Sequence, residues 1–146
     1  MNYLDTSALI KRFVVEEGSR LVNRIIREEP VATAKIAYAE VFAGLNRKQR
    51  EGHLSTARYA LASRQFDDEW HAYIRVELHD EILQLARTLV ERHPLRGFDA
   101  IHLASALCLK STLGEAITFA AADNRLLRAA EAENLQPLDV ETTPAI

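Results

Sequence analysis

Cys108 is the only cysteine, which rules out an internal disulfide and fits a reducing compartment. Long apolar runs are also missing. The most apolar stretch near the middle, AIHLASALCL at residues 100–109, is far shorter than the ~18 residues a membrane span needs, and it contains His102. The opening residues, MNYLD, show no basic segment followed by an apolar one, so no signal peptide is expected. A soluble, cytoplasmic protein is the expectation. Charge of one sign is lacking too: 18 Lys and Arg stand against 21 Asp and Glu, for a net charge of −3. That excludes the bulk basic footprint of many nucleic-acid binders. It does not exclude nucleic acid, because bound divalent cations reverse the sign of a carboxylate site. Several chemistries have no motif here. There is no His/Cys cluster for zinc, no GxxxxGK[ST] loop, no GxGxxG and no GxSxG elbow.

What is there suits one ordinary domain spanning residues 1–146. The hydrophobic fraction, 48%, is enough for a packed core without staples and argues against disorder. Arg outnumbers Lys 14 to 4. Arg makes planar, bidentate contacts to phosphate, although most arginines simply face water.

No repeat, low-complexity run or linker interrupts the chain. Residues 2–4 read as a short strand ending at Asp5, and residues 7–13 as the start of a helix. Residues 18–29 form a helix with Leu21, Val22, Ile25 and Ile26 on one stripe, stopped by Pro30. Residues 31–33 are a second strand. Residues 36–50 are helical, with Tyr38, Val41, Phe42 and Leu45 on one face, and Gly52 ends them. Residues 54–70 continue as helix, 74–78 alternate as a strand, and 80–93 are an amphipathic helix. Pro94 and Gly97 punctuate. A helix over 98–112, a buried strand over 116–121, a helix over 124–134 and a short strand over 138–140 complete the chain. Strands alternating with helices predict an α/β domain with a mostly parallel sheet, whose ligands bind beyond the carboxyl ends of the strands.

Four carboxylates need weighing. Asp5 and Asp123 each follow a strand and open a helix, and Asp99 stands at the start of another. Each has a structural reading as a helix cap, with Asn124 able to share the role at Asp123. Thr6 and Ser7, beside Asp5, either cap or contact a metal-bound water. Glu40 is the one charged residue in IAYAEVFAGL, and its neighbours Ala37, Ala43 and Gly44 are small. A buried Glu must protonate, pair or bind metal. Arg47, on the same face, is the pairing candidate. His102 lies one turn after Asp99 and reads as a structural histidine outside the site. Taken together, hard oxygen ligands suit Mg²⁺ or Mn²⁺, and such ions activate water and stabilise charge on phosphate.

The words around these acids go further. LDTSALIKRF, AYAEVFAGLNR, LRGFDAIHLASAL and ADNRLLRAA resemble the four signature segments of PIN-domain proteins, and most of all the VapC-type ribonuclease toxins of prokaryotic toxin–antitoxin pairs. DTSALIK and DAIHLASAL are the most specific. The resemblance covers nearly the whole chain. It implies a three-layer α/β/α sandwich and a Mg²⁺-dependent endoribonuclease, with a cognate antitoxin as inhibitor and a homodimer as the assembly. It assigns Asp5, Glu40, Asp99 and Asp123 as catalytic, metal-binding acids, with Ser7 as a hydroxyl helper. Lys11 and Arg96 become candidates to hold the RNA backbone. The chain departs from its relatives at Ala121, where a Ser or Thr is common two residues before the last acid. A non-catalytic PIN-like scaffold that binds RNA or protein is the rival reading. A phosphotransferase of the haloacid-dehalogenase type needs a second acid where Ser7 stands, and a receiver domain needs an acid pair where only Asp5 is present.

Overall fold

The computed structural model describes residues 1–145. Its centre is a five-stranded sheet, parallel throughout, in the order β3-β2-β1-β4-β5. The strands are β1 (Asn2–Leu4), β2 (Val31–Ala34), β3 (Ile74–Val76), β4 (Thr118–Ala121) and β5 (Gln136–Asp139). The helices are α1 (Thr6–Leu9), α2 (Ser19–Glu28), α3 (Ala37–Arg50), α4 (Thr56–Trp70), α5 (Asp80–Arg92), α6 (Gly97–Leu113) and α7 (Asn124–Ala132). The three-layer sandwich is therefore the observed architecture.

The strands read as apolar runs because helices cover both faces of the sheet. Alternation still sorts them. Tyr3, Phe119 and Ala121 face a core built with Ile82 and Leu89 of α5, Leu103 of α6 and Leu126 of α7. Leu4 and Ala120 face the other core, with Leu9, Leu21, Val41 and Phe66. The stripe expected on α3 does pack, with Val41 and Leu45 fully buried. Tyr38 and Phe42 meet Phe66, and Tyr38 also meets Trp70, on α4. That packing leaves the opposite side of α3, with Glu40, free to face elsewhere.

Three differences from the sequence reading stand out, the first two with local causes. The helix expected over 7–13 is broken: α1 is one turn long and tightens into a 3-10 turn at Ile10–Arg12. The chain then reverses through Gly18, whose φ of +91° belongs to the left-handed region, and a Cβ there would lie 2.7 Å from the Val140 carbonyl oxygen. The last strand begins before Pro137, not after it. β5 is an edge strand with one neighbour, so the missing N–H costs no ladder bond. The strand expected over 74–78 is shorter, at three residues.

β1 lies between β2 and β4, and the chain builds outward from it in both directions. The point of reversal, between β1 and β4, opens a crevice at the carboxyl ends of the strands. Asp5 follows β1 and Asp123 follows β4, one on each side of it.

Candidate active site

Asp5 caps α1: its Oδ1 accepts from the Ala8 N–H at 3.0 Å and from the Ser7 hydroxyl at 2.7 Å. The Ser7 oxygen in turn accepts from the Ala122 N–H at 2.9 Å, which ties the end of β4 to the end of β1. Thus Ser7 contacts the carboxylate itself. Asp5 is only 4% exposed. Burial pushes its carboxyl up to about 6, against the lowering influence of His102, Ser7 and the Ala8 N–H, while nearby Asp99 adds to the rise.

Glu40 sits in the first turn of α3. Its Oε1 accepts from the Thr6 hydroxyl at 2.6 Å and lies 2.7 Å from His102 Nε2. Arg47, the partner weighed from the sequence, makes no ion pair with it; the side chain that meets it is His102, through a hydrogen bond. Burial pushes Glu40 up, but the bonds from His102 and Thr6 outweigh it and hold the carboxyl below its ordinary value. Two carboxylates of one pocket are therefore displaced in opposite directions, a division of roles that often marks catalytic sites.

His102, set aside in the sequence reading, proves central to this geometry. It is 2% exposed, its Nδ1 lies 2.8 Å from the Tyr3 hydroxyl and its Nε2 also lies 3.1 Å from Thr6 Oγ1. Burial, with Asp5 close by, pushes the Tyr3 hydroxyl well above its ordinary value, so it keeps its proton and donates. A neutral imidazole then satisfies every contact in one way. Nδ1 accepts from Tyr3, and the Nε2–H donates toward Glu40. The only sequence signal was the three-residue spacing from Asp99. Its partners Tyr3 and Glu40 lie 99 and 62 residues away.

Asp99 is not a cap. Arg96 occupies the cap position of α6, and Asp99 follows in the first turn, its Oδ2 3.4 Å from Arg96 Nε. Asp123 does cap α7, its Oδ1 accepting from the N–H groups of Arg125 at 2.9 Å and Leu126 at 3.3 Å. All four acids line one pocket of about 360 Å³, with Ser7 and His102 in its wall. Gly44 forms part of that wall, one turn beyond Glu40. Ala121 does not line it. It is fully buried in the core with Phe119, and Ala122 faces the pocket instead. Lys11 is 3% exposed and pinned, its Nζ 3.1 Å from Glu16 and 2.9 Å from Glu141.

One pattern runs through the four carboxylates. Each spends one oxygen on the protein: Oδ1 in Asp5 and Asp123, Oε1 in Glu40, Oδ2 in Asp99. The second oxygen of each has no hydrogen-bond partner among the described residues. Those oxygens fit a hard cation. No three acidic, His or Cys groups among the described residues converge tightly enough to hold a bare ion. The set suits Mg²⁺, which keeps several waters and takes only one or two carboxylates directly.

A family model for the PIN domain matches residues 3–132. Ribonuclease VapC45 of Mycobacterium tuberculosis is 38% identical over 108 residues, covering 73% of this chain and 75% of the relative. Two solved structures share the fold. One is a toxin–antitoxin complex from Klebsiella pneumoniae, with a TM-score of 0.66 and 15% identity over 96% of this chain and 98% of that one. The other is FitAcB from Neisseria gonorrhoeae, with a TM-score of 0.68 and 13% identity over 98% of this chain and 100% of that one.

Proposed function

The chain belongs to the PIN-domain family, and we propose that it is a divalent-metal-dependent endoribonuclease of the VapC type, blocked by a cognate antitoxin. The observation that carries this reading is the set of four carboxylates, brought from four separate segments to one pocket, each with an oxygen to spare. The relative named as a ribonuclease supports the reaction, and the neighbour titled a toxin–antitoxin complex supports a protein partner. A homodimer in the reducing interior of a cell is part of the same reading. No helix among the described residues is long and apolar enough to cross a membrane.

In this mechanism Asp5, Glu40, Asp99 and Asp123 would hold Mg²⁺ or Mn²⁺. When bound, the metal supplies a water activated for attack on phosphorus and stabilises the charge that develops there. The protein's own groups do the rest. Ser7 and the Ala8 N–H fix one oxygen of Asp5, so the other faces the pocket in one orientation. Thr6 and His102 do the same for Glu40 and keep it ionised. Tyr3 fixes the tautomer of His102 from below. Such supporting bonds to the ligands set both affinity and orientation.

The test uses purified protein freed of any partner, incubated with total RNA and with a structured tRNA in Mg²⁺, in Mn²⁺ and in EDTA. Cleavage should require metal and disappear in Asp99→Asn, whose fold is checked by circular dichroism. Full cleavage by that variant would remove Asp99 from the mechanism. A folded, partner-free protein that neither binds metal nor cuts RNA would instead be a binding scaffold.

A further inference from the structure

Basic side chains surround the acid pocket, but they are not equivalent. On one side Lys11 and Lys48 both bind Glu16, and Lys11 also binds Glu141, so their charge is already neutralised within the fold. On the other side, past Asp99 and Asp123, a second hollow of about 510 Å³ opens. Arg96, Arg125 and Arg128 line it. It shares Arg96, Asp99 and Asp123 with the acid pocket, so the two cavities adjoin.

The placement of these arginines is electrostatically unusual. Arg125 and Arg128 are three residues apart on α7 and therefore share a face. They occupy its first two turns, where the helix dipole favours anions and opposes cations. The acid at that end of α7 is the cap residue Asp123, and its Oδ1 is taken by the N–H groups of Arg125 and Leu126 rather than by either guanidinium. Both are exposed, and neither makes an ion pair among the described residues. Arg96 is exposed as well, and its one acidic contact is the 3.4 Å approach to Asp99. The other arginines with acidic partners, such as Arg12 with Glu69 and Arg92 with Glu133, lie away from this hollow. Three guanidinium groups thus line an open polar cavity beside the acid pocket, against two carboxylates, Asp99 and Asp123, and a phosphate entering it gives all three a partner. Guanidinium forks match phosphate oxygens in shape and number.

We propose that Arg96, Arg125 and Arg128 form a phosphate subsite that grips the RNA backbone on the α7 side of the acid pocket, anchoring the strand on one flank of the bond to be cut. The assignment rests on the ribonuclease reading, because the adjoining pocket is what places the scissile phosphate. The subsite reads backbone and not sequence. On the opposite flank Lys11 and Lys48 are neutralised, which leaves Arg47 as the one unpaired cation among the described residues of the pocket wall there, against three arginines on the α7 side.

The experiment compares Arg125→Gln/Arg128→Gln with the parent protein. Binding of a short unstructured RNA oligonucleotide is followed by fluorescence anisotropy across a salt series. Both proteins carry Asp99→Asn, so that the strand stays intact. The double variant should bind about tenfold more weakly at low salt. Its slope of log affinity against log salt should fall by about 0.7 for each phosphate that the arginines no longer hold. A DNA strand of the same sequence should weaken by the same factor, since phosphate and not sugar is held. With Asp99 restored, Mn²⁺ affinity measured by calorimetry should be unchanged, and KM for RNA should rise with kcat retained. Unaltered affinity and salt slope, in a protein that still cuts RNA, overturn the subsite and leave the ribonuclease reading standing. A parent protein that neither cuts nor binds the strand overturns both.

Discussion

Two charged clusters meet at the same pocket and are built on opposite principles. In the first, Lys11 is buried between Glu16 and Glu141, and Lys48 reaches Glu16 from α3. Burial alone would lower the Lys11 ammonium, but Glu141 and Glu16 outweigh it and raise it. Burial alone would raise Glu16, and the two lysines hold it below its ordinary value. Every charge there has a partner, as buried charges require. In the second cluster four carboxylates converge, bonded to His102, Arg96, two hydroxyls and three backbone N–H groups, with no buried cation among the described residues paired to each as in the first. The first cluster fastens the 3-10 turn after α1 to the chain end after β5. The second leaves negative charge under-compensated, at a cost to folding, and the proposed function puts a cation there.

The largest expected effect comes from neutralising the most deeply buried of the four acids. Asp5→Asn should lower metal-dependent cleavage by on the order of 10²–10³-fold, the scale seen when one preorganised electrostatic group is removed. The same change should stabilise the metal-free protein. Asp5 has a folded value of about 6 against an ordinary 3.8, so the folded chain holds this proton more tightly than the unfolded one. Its contribution to stability is therefore complete below pH ~4 and is lost as the pH rises through about 6. At pH 7 the ionised wild type should be less stable than Asp5→Asn by roughly 2–3 kcal/mol, and near pH 4 the two should melt together. Asn keeps the cap to Ala8, so the comparison isolates the charge. Equal melting temperatures at pH 7 in EDTA would mean that the charge at Asp5 is not strained.

The compensated cluster should respond in the opposite sense. Lys11→Met leaves Glu16 and Glu141 facing each other without their shared cation. Breaking a fully buried pair costs about 3–5 kcal/mol, and the partial exposure of both glutamates reduces this to about 2 kcal/mol. Thermal unfolding should record that loss, while cleavage per folded molecule keeps its metal dependence. If Lys11→Met instead spares stability and abolishes RNA binding, the lysine belongs to the substrate path after all. Acid adds a second contrast. Glu16 is held below its ordinary value, so its stabilisation is present above pH ~4.5 and disappears as the pH falls, the reverse of Asp5.

Between the clusters stands His102, whose effect should be smaller. His102→Leu removes the donor to Glu40 and should weaken Mn²⁺ binding and cleavage by about 10–100-fold. His102→Gln should recover part of the loss, because its amide can again present an N–H to Glu40. A purely structural histidine would show no such difference in metal affinity between the two variants.

His102 also marks where the sequence stopped being informative. The four acids were legible because each sits at a local boundary, after a strand or in a helix start, among words of fixed composition. The strands and helices were legible because apolar spacing reports burial. His102 carried no such signal: its meaning depends on Tyr3 and Glu40, from distant segments that only the sheet order brings together. Lys11 misled for the same reason. In sequence it is a cation near the first acid; in the fold it meets Glu141, 130 residues away, because Gly18 lets the chain turn against Val140. Asp99 shared the appearance of a cap with Asp5 and Asp123, and only backbone geometry shows Arg96 in that position.

The finest test of the contrast lies in Ser7. Its hydroxyl is all that tempers Asp5 from a side chain on the same turn, and its oxygen also takes the Ala122 N–H. Ser7→Ala keeps the four acids and removes one bond that favours the ionised form of Asp5. Because that bond lowers the carboxyl, its loss should move Asp5 further up. A metal ligand must give up its proton before it binds, so metal affinity falls wherever the proton is held more tightly. The midpoint of Mn²⁺ binding against pH should therefore move to higher pH in Ser7→Ala. Affinity well above that midpoint should differ only a few-fold, and stability should fall by about 1 kcal/mol for the orphaned Ala122 N–H. A profile that stays in place would mean that Asp5 is not the group whose proton competes with the metal. The uncompensated half of the pocket would then have to be sought in Asp99 and Asp123, each of which lacks a serine of this kind.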